Sequence, residues 1–76
     1  MAVRFIEVVE RKGYFNVIMI YNDAKPKFCF RSTSEIESTN VAKALAKQYK
    51  VLTHYTKDTK VFDTIKPDDE PPLVEG

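Results

Sequence analysis

Runs of apolar and polar positions divide the chain into segments of distinct type. Val3 to Glu10, VRFIEVVE, is rich in β-branched and aromatic residues and stops at Arg11-Lys12-Gly13, a turn signal. Tyr14 to Tyr21, YFNVIMIY, is apolar almost throughout, with Asn16 its one polar residue. That pattern predicts a central strand covered on both sides. Asn22 to Pro26 is a turn cluster. Lys27 to Arg31, KFCFR, alternates, which predicts Phe28 and Phe30 on one side and Lys27, Cys29 and Arg31 on the other. Short connections make these three runs an antiparallel meander.

The helix that follows carries two conflicting start signals. Ser34 and Glu37 have capping-box spacing. At about 100° per residue, however, Val41, Ala42, Ala44, Leu45 and Tyr49 form one apolar face, and Ile36 falls among Lys43, Lys47 and Lys50 on the opposite one. Phase therefore predicts a start near Ser38 or Thr39, a helix over about residues 38–50, and Ile36 in a turn plugging the core. Val51 to Thr56 and Lys60 to Ile65 are β-type runs, with Lys57-Asp58-Thr59 a turn or bulge between them. The expected fold is one α+β domain over residues 1–66. It is an antiparallel sheet of four to five strands, in the order β-β-β-α-β with a further β over Lys60 to Ile65, and one helix packs on one face. Residues 67–76, PDDEPPLVEG, carry three prolines and four acids and are expected to be a disordered acidic tail.

One helix of this length spans about 18 Å. The first two strands are apolar on both sides, so one helix does not cover all of that surface. Either the sheet curls on itself or an apolar face is left for another chain.

Charge and chemistry add a little to this picture. The net charge of +1 divides into an excess of +5 over residues 1–66 and a tail without a base. One cysteine, Cys29, and one histidine, His54, exclude an intramolecular disulfide and a four-ligand Cys/His zinc site. The cysteine count and the charged first strand favour a soluble, cytoplasmic chain without a membrane span. Two glycines, Gly13 and Gly76, leave no glycine-rich loop for phosphate and no elbow for a nucleophile. Cys29 between two phenylalanines reads as a packing residue. No catalytic residue, metal ligand or cofactor is expected.

The function expected from these features is a small non-enzymatic protein-binding module, an inhibitor, adaptor or accessory protein. That size and type occur among bacteriophage regulators of host enzymes, an analogy of architecture alone. It would bind through an apolar sheet face or an edge strand, with Tyr14, Ile18, Ile20 and Tyr21 contributing. The partner is a protein of unspecified identity, and pairing of two copies is the simplest way to hide the surplus. The alternative is nucleic-acid binding, with Lys27, Arg31, Lys43, Lys47 and Lys50 on phosphates and nearby aromatics on bases.

Overall fold

The computed structural model describes residues 2–57 and 71–74. The runs expected at Lys60 to Ile65 and over most of the acidic tail lie outside the described residues. Strand β1 spans Val3–Arg11, β2 Tyr14–Tyr21, β3 Lys27–Ser32 and β4 Thr53–Thr56, and helix α1 spans Glu35–Tyr49. The strands form one sheet in the order β3-β2-β1-β4. β1–β2 and β2–β3 are antiparallel, as the short loops require.

β4 is parallel to β1, so the sheet is mixed rather than wholly antiparallel. The helix explains this. It carries the chain back along the sheet after β3, so the next strand sets off in the direction of β1 and β3. It also carries the chain past β2 and β1, which places β4 on the opposite edge from β3.

The β1–β2 turn is two residues long, with Arg11 opposite Tyr14. Lys12 and Gly13 both have positive φ, 53° and 80°. Such a turn matches the right-handed twist of the strands it joins.

The apolar residues form two layers. On the helix side Ile6, Val8, Val17 and Met19 pack with Ala42 and Ala46. On the far side Val9, Ile18, Ile20 and Phe28 form a second cluster with Phe5 against it. β2 contributes to both, and Asn16 to Ile20 are buried in succession. Asn16 is the polar exception, and its side-chain amide donates to the Val9 carbonyl at 3.0 Å.

The clean alternation expected of KFCFR is broken. Val17 pairs with Phe30 but Ile18 pairs with Phe28, so Cys29 is an extra residue in β3. This bulge sends the two phenylalanines to opposite sides: Phe28 joins the far-side cluster and Phe30 packs on the helix side.

The helix begins earlier than its apolar phase predicts. Ser34 is the N-cap, and its Oγ accepts from the Glu37 amide at 3.2 Å. The reciprocal arm passes through Ser32. The Ser34 amide donates to Ser32 Oγ at 2.9 Å, and that hydroxyl donates to Glu37 Oε2 at 3.5 Å. Ile36 is 75% exposed rather than plugging the core. Capping wins because leaving an isoleucine in water forgoes a gain without incurring a penalty, whereas a lost cap costs about 1 kcal/mol. Ser38, one turn further in, is fully buried and donates to the Phe15 carbonyl at 2.8 Å, tying α1 to the start of β2.

The far end closes as a Schellman motif. The Val51 amide donates to the Ala46 carbonyl at 2.9 Å and the Lys50 amide to that of Lys47 at 3.3 Å. Lys50 takes the left-handed conformation, φ 57°, that usually falls to glycine. Lys50→Gly is therefore expected to stabilise the fold by roughly 0.5–1 kcal/mol, and Ser34→Ala to destabilise it by about 1 kcal/mol. Urea unfolding midpoints of the two variants check both signs.

Candidate functional site

The two sheet edges and the two sheet faces determine where each candidate residue sits. Cys29 lies on edge strand β3, half-buried against the helix-side layer. His54 lies on β4, at the other end of the sheet among the described residues, on the far side beside Phe5 and Glu7. Three strand spacings, about 14 Å, separate those edges. The thiol is also pushed up from its ordinary pKa, chiefly by burial, with Lys27 and a backbone hydrogen bond to Met19 pulling back. A raised thiol pKa means less thiolate at neutral pH, the opposite of an activated nucleophile.

His54 has a different partner. Its ring stacks on Phe5 with centroids 4.3 Å apart, and Nδ1 lies 3.7 Å from Glu7 Oε2. Glu7 is buried in the middle of β1. Burial raises its pKa, and His54 offsets part of that. The parallel register of β1 and β4 sets His54 opposite Glu7, so the pair follows from the helical crossover. Among the described residues no group of three or more His, Cys, Asp or Glu could hold a metal ion.

The four residues expected at a protein-binding face are not one exposed patch. Ile18 is fully buried and Ile20 is 8% exposed, both in the far-side cluster. Tyr14 is half-buried with the Arg31 guanidinium 5.7 Å from its ring centroid. Tyr21 is half-buried on the helix side. The surplus apolar surface is thus interior to this chain, and Ile18 and Ile20 are core residues.

The basic residues are dispersed as well. Lys43 and Lys47 are exposed on the outer face of α1, with Ile36 between them and the N-cap, and Lys50 ends the helix. Lys27 is opposite Met19 of the helix-side layer, while Arg31 is opposite Asn16 on the far side. The Cys29 bulge causes that split.

The structure exposes apolar groups elsewhere. Leu52 is 74% exposed, Tyr55 56%, and Tyr49 is also exposed. All three fall in the seven-residue stretch that ends α1 and enters β4. Beside Tyr55 a cleft of about 180 Å3 opens where the C-terminal ends of β1 and β4 meet the first turn of α1. Val8, Phe15 and Tyr55 wall it, and Glu10, Glu35 and Lys57 bring charge to it. The sequence signals Tyr55 only as one member of an alternating run. That β4 is the last strand on its side of the sheet among the described residues appears only once the crossover is known.

A second feature lies on the opposite edge. Val74 forms an isolated parallel bridge with Ser32 of β3. Four residues of the expected acidic tail, Pro71 to Val74, are therefore described, set against the sheet.

No helix among the described residues is long and apolar enough to cross a membrane. The chain matches no protein-family model, no curated protein and no solved structure, so a functional reading rests on its own geometry.

Glu7 gives a pH dependence with a definite sign. A carboxyl whose folded pKa lies above its unfolded value of 4.5 favours the fold while protonated, and that contribution is lost as pH rises through the folded pKa. Glu7→Gln is expected to be more stable than the parent chain at pH 7. The advantage should disappear well below pH 4.5, where both side chains are neutral in both states. Thermal melts of the two proteins across that range test it.

Proposed function

We propose that the chain is a small non-enzymatic protein-binding module, acting as an inhibitor, adaptor or accessory protein, and that it docks by its β4 side rather than by a sheet face. One observation carries this reading: Tyr49, Leu52 and Tyr55 are exposed along the stretch that leads into β4, the outermost strand on that side among the described residues, beside an apolar-walled cleft. Large amphipathic side chains next to a pocket are the usual anchors of protein interfaces. The cleft suits one side chain of a partner better than a free substrate, because the polar groups around it are surface charges rather than a convergent set. Separation of Cys29 from His54 supports a non-catalytic role. The single half-buried thiol suits a reducing, cytoplasmic setting.

Nucleic-acid binding is the rival outcome, and one experiment separates the two. Full-length chain is used to capture partners from its native host, with and without nuclease. Leu52→Asp with Tyr55→Asp is expected to cut protein capture at least tenfold while moving stability by about 0.5 kcal/mol, since both side chains already face water. Lys43→Glu with Lys47→Glu should leave capture intact. Capture that survives the first pair but is lost to nuclease or to the lysine pair would replace this reading with the rival one.

A further inference from the structure

The make-up of the cleft beside Tyr55 follows from strand register and one helix anchor. Val8 packs on the helix side of β1, and Glu10, two residues on, takes the same side. Tyr55 pairs with Val8 across the parallel ladder, and Phe15 sits opposite Glu10 in the hairpin. The first turn of α1 is held over this corner because Ser38 donates to the Phe15 carbonyl at 2.8 Å. Glu35 lies three residues before Ser38, on the same side of the helix, so that anchor also brings Glu35 to the cleft. Two aromatic rings, one valine and two carboxylates thus surround a space of about 180 Å3.

Charge and size select the occupant. Glu37 is engaged with Ser32, but the carboxylates of Glu10 and Glu35 have no hydrogen bond or ion pair among the described residues. Lys57 is the one base lining the cleft among the described residues, so two acids stand against it. The space is smaller than the roughly 300 Å3 at which small-molecule pockets begin, and suits one side chain. A carboxylate there would meet two others, and an aliphatic group would leave both acids unanswered. A cation is attracted to both the carboxylates and the aromatic faces. Arginine fits better than lysine. Its flat guanidinium stacks on a ring, offers donors in several directions and is more weakly hydrated than an ammonium. Its methylene stem suits Val8 and the rings.

We propose that this cleft takes the side chain of an arginine on the partner protein, with its guanidinium stacked on Tyr55 and paired with Glu10 and Glu35. That the arginine belongs to a protein rests on the docking reading above. The guest chemistry rests on the cleft alone.

The test uses the full chain, isotope-labelled, and the tripeptide acetyl-Gly-Arg-Gly-amide as probe. Amide shifts of Val8, Glu10, Phe15, Glu35 and Tyr55 report binding. Matched tripeptides carry leucine, glutamate or citrulline, which keeps the shape of arginine without its charge. The arginine probe should give saturable shifts at these residues and bind about tenfold more tightly than any of the three. Glu10→Gln with Glu35→Gln, an isosteric pair, should cost about tenfold in affinity. Tyr55→Leu should cost about threefold, and Tyr55→Phe should not. Lys57→Gln should strengthen binding about twofold, where an anionic guest would bind more weakly. Circular dichroism establishes that each variant is folded. No saturable shift, equal binding of citrulline, preference for leucine or glutamate, or indifference to the glutamine pair overturns the proposal. Partner capture reads the two ideas separately. If Leu52→Asp with Tyr55→Asp abolishes capture and the glutamine pair leaves it intact, the docking surface stands and the arginine is overturned. If the probe binds as stated but capture survives Leu52→Asp with Tyr55→Asp, the guanidinium site stands and the docking reading is the one that fails.

Discussion

Strand β2 has no side turned to water. Its neighbours β1 and β3 take its backbone groups, and five successive residues, Asn16 to Ile20, are buried. A strand in that position must be apolar on both faces, which the sequence YFNVIMIY supplies. Its one polar side chain needs a partner inside the protein, because an unpaired buried amide costs more than its bond is worth. Asn16 finds one in the Val9 carbonyl across the hairpin. The two-layer core follows from this strand: Val17 and Met19 set the helix-side layer, Ile18 and Ile20 the far-side one.

The helix then fixes the rest of the topology. It is anchored at its first turn through Ser32, Ser34 and Glu37, and again where Ser38 bonds the Phe15 carbonyl. These contacts are polar, and the last of them is long-range, tying the start of the helix to β2. The parallel placement of β4 opposes His54 to Glu7 and puts Tyr55 at the mouth of the cleft. Both features follow from the helical crossover, whose first turn these hydroxyl hydrogen bonds hold against the sheet.

Much of this was legible in the sequence. Local chemistry marks the three meander strands, their turns, the buried character of β2 and the helix. The misread features depend on comparing energies or on tertiary geometry. The phase of Ile36 argues for a late helix start, but a free energy forgone in water is weaker than a satisfied cap. The alternation of KFCFR looks regular, and only its pairing with β2 shows that Cys29 is extra. The candidate site suffered most. Ile18 and Ile20 read as surplus apolar surface because one helix cannot cover two faces, and they proved to be core. Leu52 and Tyr55 stood out only from their exposure beside β4. Alternation gives the side a residue faces in a strand, but not whether that side is buried.

The bridge between Val74 and Ser32 also bears on how the molecule behaves among copies of itself. An edge strand with open amides and carbonyls is a template for any other strand, and small sheet proteins need some device against growing edge to edge. Among the described residues two backbone bonds and one arginine contact cover the edge at Arg31 and Thr33, and the segment that makes them begins with two prolines, which cannot extend a ladder on their own amides. A four-residue stretch, Pro71 to Val74, thereby covers part of the edge at which a second copy would otherwise pair.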